Sequence, residues 1–133
     1  MKNGYLYYHA LTGHTLYRVK TSYLTDEGQG DLESKVETVA QTPAPDGMLE
    51  APDGSVYLTD IQGSAVVRWN AASNKIEPVI ADKRLLWPDT LSWGPNGDLY
   101  VTASQIENMP RFNAGKSTRT EPYKLWKITG IGR

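Results

Sequence analysis

The sequence has no cysteine, a single phenylalanine and two histidines in 133 residues. Without cysteine there is no disulfide framework and no thiolate metal site, and the redox compartment is left open. Neither sign of charge dominates: 14 Lys and Arg stand against 15 Asp and Glu, a formal net charge of -1. A surface built to neutralise phosphates is basic, so no nucleic-acid partner is expected. Long apolar runs are missing as well; none approaches the ~18 to 20 residues that span a bilayer, and no membrane partner is expected. The opening residues Met1-Lys2-Asn3-Gly4-Tyr5 hold no apolar core of a secretory leader, so a cytoplasmic location is the default expectation. No window sustains an i, i+3, i+4, i+7 apolar stripe beyond two turns, which removes the amphipathic helix as a building block.

What the chain does have is 8 Tyr, 4 Trp, 12 Gly and 8 Pro. Aromatic and β-branched residues suit half-buried pleated surfaces, and Gly and Pro punctuate tight turns. Short strand-like runs recur at residues 5–9, 16–19, 36–40, 47–51, 55–59, 65–69, 76–80, 90–93, 98–102 and 123–128. Between them lie turn signals such as Thr12-Gly13, Pro52-Asp53-Gly54 and Gly94-Pro95-Asn96-Gly97, with longer polar stretches at 25–34 and 103–122. An all-β fold is expected.

An internal repeat sets the architecture. The fifteen residues from Pro45-Asp46-Gly47 to Leu58-Thr59 match those from Pro88-Asp89-Thr90 to Val101-Thr102 at an offset of 43, Asp46 to Asp89. A second echo at the same offset sets Arg68-Trp69-Asn70 against Arg111-Phe112-Asn113, although the latter lies in the long 103–122 stretch. A period of roughly 40 to 50 residues with four strands per unit marks a β-propeller blade; a sandwich with two similar hairpins is the alternative. With strands lettered A to D outward from the channel, the first blade shows B, C and D, the second all four, and the third A, B and C. The expected fold is a single partial propeller over 1–133, with blades at about 1–44, 45–87 and 88–133, the first and last incomplete. Closed rings take about 4 to 8 blades. The flanks of the outer blades and their unpaired strand edges therefore predict a homo-oligomer, with a dimer favoured because two copies supply six blades.

The hairpin Leu6-Tyr7-Tyr8-His9-Ala10-Leu11 with Leu16-Tyr17 and the following Tyr23-Leu24-Thr25-Asp26-Glu27 resemble the major royal jelly protein and Yellow family. So do Trp87-Pro88-Asp89-Thr90-Leu91, Met109 to Lys116 and Pro122-Tyr123-Lys124-Leu125, which resemble that family's C-terminal signature. The likeness covers nearly the whole chain and about the last third of a typical member. It implies a six-bladed propeller, often secreted, whose bacterial relatives are commonly labelled gluconolactonase-like or dopachrome-tautomerase-related. Pro45-Asp46-Gly47-Met48 followed by Asp53-Gly54 is, more distantly, similar to a segment of calcium-dependent lactonase propellers. That likeness implies Asp46 as a Ca²⁺ ligand and a base that activates water.

In a propeller the D-to-A and B-to-C connections share one mouth. Asp46 and Asp89 fall at the entrances of neighbouring A strands and Asp60 just after a B strand, so three carboxylates on one face would suit a hard cation or a general base. Asp46 and Asp89 are the candidate metal ligands and Asp60 a ligand-binding residue. Each Asp would equally serve by capping its own turn. Trp87 precedes the Asp89 rim and is a candidate for stacking on a ligand, whereas Trp69 and Trp126 sit within strands and read as packing. In the long connection, Arg111 is placed to clamp an anion and Asn113 to contact a ligand, with Arg111 holding the loop as the alternative. Two functions from different classes follow: binding of a small amine, sugar or aromatic ligand without turnover, or metal-dependent lactone hydrolysis. An inactive fragment is the third reading.

Overall fold

A computed structural model describes residues 4–25, 28 and 30–131. They form ten strands: β1 (Tyr5–Tyr8), β2 (Thr15–Lys20), β3 (Glu37–Gln41), β4 (Met48–Glu50), β5 (Val56–Asp60), β6 (Ala65–Asn70), β7 (Lys75–Ala81), β8 (Pro88–Trp93), β9 (Leu99–Ala103) and β10 (Lys124–Ile128). All pairings are antiparallel and give three meandering sheets, β1-β2-β3, β4-β5-β6-β7 and β8-β9-β10. The middle sheet is a complete blade; the first shows strands B to D and the third A to C. This is a partial β-propeller.

Register explains why the sheets look alike. In each, a tyrosine on strand B lies opposite a cation on strand C: Tyr7 and Arg18, Tyr57 and Arg68, Tyr100 and Lys127. Each cation also meets a carboxylate at 2.8 Å: Arg18 with Glu37, Arg68 with Asp53, Lys127 with Asp98. These exposed or half-exposed pairs contribute little each, typically under about 1 kcal/mol, but they fix register. They also show that the first blade repeats the second at an offset of 50, Tyr7 to Tyr57 and Arg18 to Arg68. The Arg111-Phe112-Asn113 echo is not part of the repeat. Arg111 and Phe112 sit on a 3₁₀ turn, Pro110–Phe112, with Asn113 directly after it, and the third C strand is Lys124–Ile128.

The apolar layers lie between blades. Leu16, Val56, Leu58 and Trp69 fill the junction of the first and second sheets, joined by Tyr7, Val39, Met48 and Ile76. Tyr57, Val66, Leu85, Leu91, Leu99 and Val101 fill that of the second and third, with Trp93 and Trp126 against them. Strand β5 is packed on both faces, so Val56–Thr59 are buried in succession, whereas outermost β7 is exposed or half-buried throughout. Burying one such Leu or Val side chain contributes about 1.5–3 kcal/mol.

Two departures from the expected boundaries bear on the site. Strand β8 begins at Pro88 rather than Thr90, through an irregularity in its pairing with β9 between Pro88 and Leu91. The long connection after β9 carries two 3₁₀ turns, Ile106–Asn108 and Pro110–Phe112. Of the polar stretch at 25–34, Asp26, Glu27 and Gln29 lie outside the described residues, as do Gly132 and Arg133 at the end.

Candidate functional site

Backbone hydrogen bonds tie the D-to-A and B-to-C connections together at one end of the sheets. The Thr42 N–H donates to His14 O (2.9 Å), Ile61 to Ala44 (3.3 Å), Asp82 to Ser64 (3.0 Å) and Gln105 to Leu86 (3.1 Å). Asp46, Asp60, Trp87, Asp89 and the long 104–123 connection all belong to this mouth.

The A-strand entrance is held by a threonine, not by the aspartate. The buried Thr59 hydroxyl accepts the N–H groups of Asp46 and Gly47, both at 3.0 Å. Its repeat counterpart Thr102 accepts the Thr90 N–H at 3.1 Å. Asp46 is thereby freed from turn capping: its Oδ2 accepts a 2.6 Å hydrogen bond from the Trp87 indole Nε1–H. A Cβ on Gly47 would lie 1.9 Å from the Asp89 carbonyl oxygen, so the two neighbouring A-strand entrances touch and Asp46 and Asp89 stand on adjacent backbones. Asp89 Oδ1 accepts from the Thr90 hydroxyl at 2.9 Å. Asp60 does cap its turn, its Oδ1 taking the N–H groups of Gln62 (3.1 Å) and Gly63 (2.8 Å).

Trp87 departs from the repeat. Its carbonyl accepts the Ser104 N–H at 3.1 Å, just as the carbonyl of its counterpart Ala44 accepts that of Ile61. Ala44 is buried and performs that backbone duty with a methyl group. The half-buried indole at 87 goes beyond that backbone duty, and its backbone holds a left-handed φ of 53°, a conformation that costs a non-glycine residue of order 1 kcal/mol.

Gln105 organises the long connection. It is 5% exposed; its side-chain nitrogen donates to Thr120 O at 2.9 Å and its oxygen accepts the Thr120 N–H at 2.9 Å. Asn113 faces inward, donating from Nδ2 to the carbonyls of Glu107 (2.7 Å) and Met109 (3.0 Å). Arg111 is exposed, its guanidinium 4.5 Å from the centre of the Phe112 ring. Nearby, hydrogen bonds from the Arg84 side chain and backbone hold the Asp82 carboxyl at about 2, so it stays ionised at ordinary pH.

Both histidines converge on Thr42. His9 Nε2 lies 2.7 Å from the Thr42 hydroxyl and His14 Nδ1 3.2 Å from the Thr42 carbonyl. On the 50-residue offset His9 occupies the place of Thr59, at the end of strand B. That place on the rim, and the buried role of Gln105, are what the sequence reading missed. The histidine position was legible only through the offset of 50, and Gln105 matches Gln62 at the offset of 43 without anything in that match marking its buried role.

Ca²⁺ takes six to eight oxygens, and the mouth gathers too few. Among the described residues no three of His, Cys, Asp and Glu form a group able to hold a metal. Asp46 and Asp89 adjoin through the backbone, but Asp46 already accepts a tryptophan N–H and Asp60 is committed to its turn. The residues present do not fit a calcium site.

Fold and mouth define a partial propeller whose connections, rather than its strands, carry the polar chemistry. The chain belongs to the major royal jelly protein family, whose model matches residues 1–122. No curated protein matches its sequence. Among solved structures it is similar to a gluconolactonase from Xanthomonas campestris (TM-score 0.66, 15% identity, 97% of this chain and 41% of that one). It is similar too to a catalytically inactive virginiamycin B lyase from Staphylococcus aureus solved with quinupristin (TM-score 0.57, 18% identity, 97% and 39%). A chain of the nidogen/laminin complex matches with TM-score 0.57 at 19% identity, over 78% of this chain and 38% of that one. At these identities the likeness is one of fold, and the chain spans about two fifths of each of these neighbours.

Proposed function

We propose that the mouth binds a small ligand with a positive charge beside an aromatic or apolar body, a protonated aryl amine being the simplest case. One observation carries this reading: Trp87 stands where Ala44 suffices for the fold, and its indole lies against the exposed carboxylate of Asp46. An indole face and a carboxylate together favour a cation. The test is titration with benzylamine, benzyl alcohol and glucose, following the Trp87 indole N–H by NMR. Benzylamine is expected to shift it saturably, the other two are not, and Asp46→Asn is expected to weaken binding at least tenfold with the circular dichroism unchanged. Equal affinity in wild type and Asp46→Asn would remove the role of Asp46. Metal-dependent lactone hydrolysis is the weaker reading, since it rests on Asp46 and on a donor set that falls short.

We further propose that this 133-residue chain self-associates, a second copy covering the flank of its outer blades. On β10, Trp126 packs against the second blade, so the alternating Leu125 points away; it is 64% exposed, and Tyr123 beside it 48%. On β1, Tyr7 packs on Trp69, so Tyr8 points away, stacked on Tyr17 at 5.4 Å. Two copies would assemble the six blades of a family ring. Sedimentation at micromolar concentration should give about twice 14.8 kDa, and Leu125→Lys should shift it to the single mass. A folded wild-type monomer at that concentration would contradict the proposal.

A further inference from the structure

At the end opposite the mouth, the junction of the first and second blades forms a cavity of about 630 Å³ that is open to solvent on one side. Tyr5, Tyr7 and Trp69 supply its aromatic walls, and Arg18, Glu50 and Asp53 its charges. The next junction explains why the space exists. There Trp93, the repeat counterpart of Glu50, packs edge-on against Tyr57 with ring centres 5.1 Å apart. At the first junction the tyrosine is Tyr7, and the residue facing its neighbourhood is Glu50. A carboxylate in place of an indole leaves the junction unfilled.

The charges of this cavity do not cancel. Arg18 pairs with Glu37 at 2.8 Å and lies 4.3 Å from the Tyr5 ring centre. Asp53 pairs with Arg68 at 2.8 Å; burial alone would raise its carboxyl, but the Ser55 N–H and hydroxyl and the Arg68 charge outweigh that and hold it below the usual range. Glu50 has no ion pair among the described residues, and its Oε1 is shut from solvent without a hydrogen-bond partner. The carboxylate as a whole is half-buried and lines the cavity, so a cation approaching from the cavity side would offset the cost of a partly desolvated charge left without a partner. The volume lies within the range of small-molecule pockets, which are apolar with a few placed polar groups.

We propose that this cavity is a second binding site, distinct from the mouth, for a small organic cation: an ammonium or amidinium donating to Glu50, with a flat apolar body between Tyr5, Tyr7 and Trp69. The Trp69 indole Nε1–H, bonded to Asn74 Oδ1 at 2.9 Å, is a reporter in its wall. The probes are 2-naphthylmethylamine, 2-naphthylmethanol and 2-naphthoate, which share a ring and differ in charge. The amine is expected to shift the Trp69 indole N–H saturably in the millimolar range or below, with the alcohol at least tenfold weaker and the naphthoate silent. Glu50→Gln keeps size and hydrogen bonding but removes the charge, and should weaken the amine at least tenfold. Glu50→Trp copies the Trp93 solution and should abolish binding in a folded protein. Asp46→Asn, at the other end, should leave it unchanged, which separates this site from the mouth. Binding unaltered in both Glu50 variants, binding lost in Asp46→Asn, or no saturable shift at Trp69 would overturn the proposal.

Discussion

Replacing Gly47 by alanine is expected to destabilise the protein by about 3 kcal/mol or more, well above the usual cost of one added methyl in a core. The new Cβ would fall 1.9 Å from the Asp89 carbonyl oxygen, 3.0 Å from its carbon and 3.2 Å from the Thr90 Cα. All three are backbone atoms, so no rotamer change relieves the contact. Either β8 moves off β4, opening the layer of Leu49, Leu91 and Leu99, or the turn that Thr59 holds comes apart. Thr90, at the same repeat position, is exposed, and Thr90→Ala should stay within about 1 kcal/mol of wild type. Urea denaturation of the pair measures this. Equal, small losses in both would mean that the blades are not packed as described.

The second large effect is at Trp69. Its side chain is 4% exposed and belongs to the layer between the first two blades, with Tyr7 5.9 Å away and its N–H bonded to Asn74. Truncation to alanine removes a large buried surface and leaves a cavity, at a cost of about 3–5 kcal/mol. A domain of this size is stable by only about 5–15 kcal/mol, so Trp69→Ala should lower the melting temperature by many degrees. Trp69→Phe keeps most of the packing and should lose much less. If Trp69→Ala melts with wild type, the first two sheets do not share a core.

How much of this was legible depended on whether a residue's duty repeats. The 43-residue match exposed the second and third blades because Thr59 and Thr102, and the turn glycines Gly54 and Gly97, do the same job twice. The first blade escaped that match because its offset is 50; the sheet shows the kinship through Tyr7 and Arg18 standing where Tyr57 and Arg68 stand. The Arg111 echo misled because three residues in a loop copied the letters of a strand without its pairing. At the site, the mouth followed from topology, but individual roles did not. Whether an aspartate caps its turn depends on what else can, and Thr59, twelve to thirteen residues away, relieves Asp46 while nothing relieves Asp60. Asn113 reads from the sequence as a ligand contact; in the structure both described bonds of its amide nitrogen go to loop carbonyls. Departures from the repeat proved more informative than matches: Trp87 for Ala44 at the mouth, Glu50 for Trp93 beneath it.

Whether Trp87 serves the mouth or the fold is decided by one measurement: the unfolding free energy of Trp87→Ala in urea, beside that of Trp69→Ala. Ala44 already performs the backbone task of position 87 in the neighbouring repeat, so the variant should lie within about 2 kcal/mol of wild type, the worth of one indole hydrogen bond and the partial burial of a half-exposed ring. A loss of about 3–5 kcal/mol, the signature of a core tryptophan, would make Trp87 part of the packing and contradict the assignment.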